Sequence, residues 1–264
     1  MAKMENFDPV ASYQLNVKGR DWVVGDIHGS FRMVERALKL VQFDPGIDRI
    51  FALGDMVDRG RESPRVLSFL EKAHSIRGNH EEMFLDMYRD GAPPDEAVRL
   101  HTAGHRIGAR WWRNRSEEER ESLLRAFRML PLAIEIETVR GKVGLVHAEV
   151  PRGMHWETFK AGLRARDRGV TVQALWGKTR LSAMDDTGVQ GIARVFSGHA
   201  VQMDGPGCLG NVYYLDTGAV FRDRSVSGSC RLTMVDAAVS HVGLAPRPPS
   251  HGDIDIRRAE RWRD

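Results

Sequence analysis

The chain has 264 residues, 42% of them hydrophobic and 28% charged, with 39 lysines and arginines against 36 aspartates and glutamates for a formal net charge of +3. That balance excludes a disordered chain, and the length is enough to bury a sizeable core without covalent staples. Two cysteines, Cys208 and Cys230, exclude a disulfide framework of the secreted kind and are expected as free thiols.

The N-terminal stretch through Trp22 has no apolar signal core, and no apolar run approaches the roughly 18 residues that span a bilayer. A cytoplasmic protein is expected. Residues 21–26 (DWVVGD) predict a short buried strand that closes on a glycine and a carboxylate. Ser30 is placed to cap a helix carrying Met33, Val34, Ala37, Leu38 and Val41 on one side. The unit then recurs. Residues 49–53 are an apolar strand ending in Gly54-Asp55, followed by a helix from about Ser63 with Val66, Leu67 and Leu70 inward. A third strand over 73–76 leads through Gly78 to a helix bearing Met83, Phe84 and Met87. Three strand–loop–helix units predict an α/β layered fold with parallel pairing in this half, where reactive groups gather at the C-terminal strand ends.

Residues 90–128, with Pro93-Pro94, several arginines and the acidic run 117–121, predict a helical lid or insertion bounded by Pro131. Strand signals follow over 132–138 and 142–147, around an Arg140-Gly141 turn, and again over 194–197, 211–216, 219–221 and 231–235. Residues 1–243 are expected to form one domain. The segment 244–264, proline-rich and then charged, is expected to be a flexible tail.

Each strand end carries chemistry. In Gly25-Asp26-Ile27-His28-Gly29, residues i and i+2 of an extended stretch face the same way, so Asp26 and His28 can converge on one ion. Gly54-Asp55-Met56-Val57-Asp58-Arg59-Gly60 sets one carboxylate at a strand end, with a second carboxylate and a cation just beyond. Arg77-Gly78-Asn79-His80-Glu81 offers an amide carbonyl, an imidazole and a cation, and His147 and His199 each close an apolar strand. Singly, each segment also fits a cap, a turn or a surface ion pair. Five such segments together supply three aspartates, one asparagine and four histidines, which packing does not explain. Oxygen ligands mixed with imidazoles suit manganese, iron or zinc. The surplus of donors over one ion's needs points to a carboxylate-bridged pair, ~3.5–4 Å apart in such sites.

The motifs GDIHG (25–29), GDMVDRG (54–60) and RGNHE (77–81), with the later histidines, resemble the phosphoprotein phosphatase family of metallophosphoesterases. The likeness is greatest to its bacterial and phage-lambda-type serine/threonine phosphatases and runs from about residue 23 to the LDTG of 215–218. The resemblance implies a calcineurin-like fold, a central β-sandwich of mixed sheets flanked by helices. It implies a metal-dependent phosphomonoester hydrolase acting on phosphoserine or phosphothreonine in a phosphoprotein or phosphopeptide. Two divalent ions are implied, manganese(II) first, with iron or zinc as alternatives.

By the same resemblance, Asp26, His28 and Asp55 hold one metal, with Asp55 bridging, while Asn79, His147 and His199 complete the other. His80 is the implied proton donor, oriented by Asp58, and Arg59 and Arg77 serve the phosphate. Relatives place a phosphate-binding arginine after Leu-Trp-Gly; here Lys178 follows Leu175-Trp176-Gly177 and Arg180 stands two residues on, so both are candidates. Ala200 replaces a threonine after the last ligand. Symmetrical diadenosine tetraphosphate hydrolases of this family resemble GDLVARG, without the aspartate. Asp58 and Glu81 therefore favour phosphomonoesters, with the dinucleotide as the alternative substrate.

The remaining candidates read blandly. His101 and His105 stand at i, i+4 with no acidic partner between them, as on a solvated helix face. Residues 110–115 (RWWRNR) interleave cations and aromatics, a format able to stack bases, but read first as a lid helix with buried tryptophans. Nucleic acid is therefore not an expected partner, and neither is a membrane; a monomer is expected. His74, His155, His241 and His251 have no constellation around them.

Overall fold

Residues 7–103, 107–224, 230–239 and 253–258 are described in a computed structural model of the chain. His105, His241 and His251 lie outside them, as does the side chain of His101. The strands are β1 (Val10–Tyr13), β2 (Asp21–Val24), β3 (Arg49–Ala52), β4 (His74–Ser75), β5 (Ala133–Thr138), β6 (Gly141–Val146), β7 (Arg194–Ser197), β8 (Gly207–Leu209), β9 (Val212–Tyr214), β10 (Leu232–Asp236) and β11 (Ile254–Arg257). The helices are α1 (Phe31–Leu40), α2 (Val66–Leu70), α3 (Asn79–Met87), α4 (Asp95–Ala103), α5 (Glu117–Arg128), α6 (Trp156–Arg164), α7 (Arg168–Trp176) and α8 (Thr179–Ser182).

Two mixed sheets result, in the orders β1-β5-β6-β7-β9-β8 and β11-β10-β2-β3-β4. The period-2 alternation of each strand explains how they stack. Val23 and Phe51 face across to Ile134, Val143, Leu145, Phe196 and Tyr213 of the other sheet, forming the core between the sheets. Their neighbours Trp22, Val24, Ile50 and Ala52 face the opposite way, onto Phe31, Val34 and Ala37 of α1 and Phe84 of α3. On the far side, Val146, Val195 and Tyr214 pack under Trp156 and Phe159 of α6 and Leu175 of α7. Four layers follow, helix–sheet–sheet–helix, each buried large side chain contributing about 1.5–3 kcal/mol. This is the predicted β-sandwich flanked by helices.

The three predicted units are present: β2, β3 and β4 pair in parallel. So do β6, β7 and β9 of the other sheet. The C-terminal ends of six parallel strands therefore open on one region. The expected hairpin pairs β5 with β6 antiparallel.

Three expectations fail locally. Residues 219–221 are not a strand but the start of a 3-10 turn, Ala219–Arg224, because Gly218 (φ +76°) redirects the chain and its carbonyl accepts from Phe221 N at 2.8 Å. Strands β1 and β8 were not expected. The tail predicted for 244–264 is not flexible throughout: β11 lies parallel beside β10, with Ile254 buried. Among the described residues, three of its charges have side-chain partners. Asp255 accepts from Arg257 Nε and Nη2 at 2.6 and 2.7 Å, and Asp253 from Arg36 Nη1 at 3.0 Å. Within 90–128, the predicted helical stretch holds α4, a 3-10 segment Ala109–Asn114 and α5, whose N-terminus is capped reciprocally by Ser116 and Glu119.

Candidate active site

The turns after β2, β3, β4, β6, β7 and β9 bring Asp26, His28, Asp55, Asp58, Asn79, His80, His147 and Asp216 into a single buried cluster, joined by the half-buried His199. The turns are tight and strained. His28, Asp55, Asp58, Arg59 and His199 all hold positive φ, between 44° and 72°, without being glycine. Such conformations cost on the order of 1–3 kcal/mol each and persist where surrounding structure over-determines them. Glu81 supplies part of that structure: its buried carboxylate accepts from the backbone N–H of Gly78, Asp55 and Met56, each at 2.9 Å. Burial, and then the nearby Asp55 charge, push its pKa up to about 7.

Asp55 stands at the centre. Its Oδ2 lies 3.5 Å from His28 Nε2 and its Oδ1 lies 3.4 Å from His147 Nε2. Two donor groups share it, His28–Asp55–His80 and Asp55–His147–His199, with the ligand atoms of each group within 4.8 Å of one another. Burial opposes its charge, but His147, His80 and His28 hold its carboxyl below the usual range.

The donor chemistry fits cations. His147 donates its Nδ1–H to the Leu53 carbonyl at 2.7 Å, which leaves Nε2 as a lone pair. That lone pair stands 2.8 Å from the Asn79 side-chain oxygen, which is itself 2.9 Å from His199 Nδ1. Acceptors facing acceptors in a buried place suit a positive charge between them. His28 is set up alike, with Nδ1 on the Val57 carbonyl at 2.8 Å. Its Nε2 meets Arg59 Nη1 at 2.6 Å, a cation against a lone pair. Burial drives the pKa of His28, His147 and His199 down, His199 to about 3, so all three are neutral and able to ligate.

His80 differs. Its Nδ1 is 2.7 Å from Asp58 Oδ2, and its Nε2 is 3.2 Å from Arg59 Nη2. Burial works against its charge, yet Asp55 and Asp58 outweigh burial and raise its pKa. Arg59 spans His28 and His80 with its guanidinium 5.4 Å from the centre of the Phe221 ring.

The calcineurin-like phosphoesterase family matches residues 20–203. The chain belongs to that family. This phosphoesterase is 32% identical to serine/threonine-protein phosphatase 1 of Salmonella typhimurium over 208 residues, covering 76% of this chain and 87% of the relative. It is 30% identical to a symmetrical bis(5'-nucleosyl)-tetraphosphatase of Xanthomonas euvesicatoria over 150 residues, 55% of this chain and 43% of that one. Among solved structures, a protein serine/threonine phosphatase from Saccharomyces cerevisiae matches with a TM-score of 0.50 at 19% identity, over 78% of this chain and 70% of that one, a likeness of fold alone.

Two of the sequence-predicted site residues have their guanidinium groups engaged by protein partners. Arg77 donates to Glu82 at 2.8 Å and to the carbonyls of Arg128 and Leu130 at 3.0 and 3.2 Å, tying the start of α3 to the end of α5. Arg180 is fully buried, its Nη1 3.3 Å from Asp185 Oδ2. Lys178 is exposed, close enough to His199 to help depress its pKa, and its side chain has no hydrogen bond or ion pair among the described residues. Asp26 joins the cluster through the His199 backbone N–H, at 3.1 and 3.0 Å from its two oxygens. Sequence reading missed Asp216 as a site residue; it is buried and hydrogen-bonded to Asp26, and burial, then the Asp55 charge, raise its pKa to about 6. Its place two residues after a parallel strand was the available signal. The bland expectations for two histidines fit: His74 packs between Tyr13 and Phe51, and His155 caps α6. Among the described residues no helix is long and apolar enough to cross a membrane.

Proposed function

We propose that this phosphoesterase is a serine/threonine protein phosphatase acting on phosphoprotein or phosphopeptide monoesters, with manganese(II) as the first candidate for both metals. Asp26, His28 and Asp55 would hold one ion and Asp55, Asn79, His147 and His199 the other. When bound, such a pair lowers the pKa of a shared water enough to supply hydroxide near neutral pH, and it offsets phosphate charge.

This chain's own groups do the rest. The Arg59 fork, aimed between His28 and His80, binds two phosphoryl oxygens at once. Exposed Lys178 adds a point charge at the rim. As the new phosphorus–oxygen bond forms in line, the bond to the substrate oxygen breaks, and His80 Nε2 gives its proton to that departing oxygen. Asp58 holds the ring and stabilises the imidazolium. A serine or threonine alkoxide is a poor leaving group, so a positioned acid is needed.

The observation that carries the monoester reading is the buried Asp58–His80 pair, 2.7 Å apart. The name and coverage of the Salmonella relative support it. The test is to strip the protein with chelator, reload it with manganese(II), and compare turnover of a phosphothreonine peptide, p-nitrophenyl phosphate and diadenosine tetraphosphate. Turnover of the peptide above the dinucleotide is expected; the reverse order sinks the reading.

A further inference from the structure

The insertion between α3 and α5 reaches into the site. Trp112 is fully buried, stacked on Phe84 at 4.2 Å, and its Nε1 donates to the Tyr88 hydroxyl at 3.2 Å. The segment is thereby fastened to α3, the helix whose first turn carries Asn79 and His80. Trp111 stands perpendicular to Trp112 and edge-on to Phe84, and its Nε1 donates to Asp58 Oδ1 at 2.7 Å. Just before it, the Gly108 carbonyl accepts from Arg59 N at 3.2 Å. Gly108 has φ +72°, and a Cβ there would lie 2.5 Å from Arg59 Cα, so glycine alone permits this approach. One short stretch thus grips two consecutive strained residues, Asp58 by its carboxylate and Arg59 by its backbone.

The consequence lies in how Asp58 is held. Its two oxygens are divided, Oδ2 to His80 Nδ1 and Oδ1 to Trp111 Nε1. A carboxylate with one partner can rotate about its own bond; one held at both oxygens cannot turn without breaking a charge-assisted hydrogen bond. We propose that Trp111 is a positioning residue for the proton donor, acting through Asp58 to fix the His80 ring. The inference rests on His80 being the donor, as in the proposed function. The Trp111 ring meets Phe84 and Trp112, and its N–H reaches His80 through Asp58.

Trp111→Phe keeps the ring contacts and removes only the N–H. The experiment measures kcat and KM of the manganese-loaded full chain on a phosphothreonine peptide and on p-nitrophenyl phosphate, for Trp111→Phe, Asp58→Ala, the double variant and His80→Asn. Trp111→Phe should lower the peptide-to-aryl ratio of kcat roughly tenfold, the scale on which a lost outer partner of a working histidine acts. KM for the aryl ester should stay put. In the Asp58→Ala background, the same change should alter the ratio no further. Equal loss on both substrates, or an undiminished further loss in that background, overturns the assignment. His80→Asn provides the separation: if it leaves the ratio untouched, the donor reading itself has failed. Because each ratio is taken on one preparation, a variant that folds only in part still reports it.

Discussion

His80 Nδ1 lies 2.7 Å from Asp58 Oδ2 while Nε2 of the same ring lies 3.8 Å from Asp55 Oδ2, so this imidazole sits between two buried carboxylates. Those two charges prevail over burial and raise its pKa, whereas burial prevails at His28, His147 and His199 and lowers theirs. Four histidines in one cluster are thereby pushed apart, one towards the doubly protonated form and three towards the neutral form that presents a lone pair.

The sorting predicts a pH profile. A raised pKa moves the release of the His80 proton above the ordinary imidazole value. With alkyl phosphates, kcat should hold near neutral pH and fall on the alkaline side. His80→Asn should slow the peptide by roughly 10²–10⁴, the usual weight of a general acid, spare p-nitrophenyl phosphate more, and abolish the alkaline limb. An alkaline limb unchanged in that variant would contradict the assignment.

Asp55 offers one oxygen to each donor group. Asp55→Asn should therefore lower the affinity of both metals together, whereas His147→Gln should weaken one and leave the other. Elemental analysis after dialysis, read beside isothermal titration with manganese(II), distinguishes them. Loss of a single ion in Asp55→Asn would remove it from the bridging place.

Asp216 holds its proton up to about pH 6, against 3.8 for the unperturbed group, because burial, and then the nearby Asp55 charge, make ionising it costly. The folded state therefore binds this proton more tightly than the unfolded chain. The stability it contributes is present below pH 3.8 and lost as pH rises through about 6. In metal-free protein, Asp216→Asn should raise the melting temperature at pH 7.5 and by progressively less below pH 6. A gain independent of pH would show that the carboxylate charge is not the cause.

The two cations after Leu175-Trp176-Gly177 should separate cleanly. Lys178→Met, at an exposed position beside His199, should raise KM for phosphopeptide and leave the melting temperature unchanged. Arg180→Met breaks a buried pair with Asp185 and should lower the melting temperature instead. Steady-state kinetics and thermal melts on both variants check this. A KM effect confined to Arg180→Met would exchange their roles.

The strand-end donor groups were legible because their chemistry is local: a glycine, a carboxylate and an imidazole within a few residues, repeated after successive apolar runs. Asp26, His28, Asp55, Asn79, His147 and His199 all reach one cluster for that reason. The partners of Arg77 and Arg180 were not legible because an arginine's partner is decided by tertiary distance. The carbonyls of Arg128 and Leu130 that receive Arg77 lie about fifty residues away in sequence. Trp111 was read as a core tryptophan, and half of that is right; only its N–H has another task, and no sequence period signals where an N–H points. The strand β1 escaped notice because it is short and pairs with β5, 123 residues later at Val10 and Ala133.

Asp255 and Arg257 resemble the solvated charges of a loose tail, yet β11 closes the free side of β10, and β10 in turn pairs with β2, which leads directly into Asp26 and His28. Shortening the gene to end near residue 243 would strip that cover. It would leave Leu232 and Met234 on an open sheet edge, a surface prone to pair with other chains. For anyone expressing this protein, residues 254–257 are therefore the wrong place to economise.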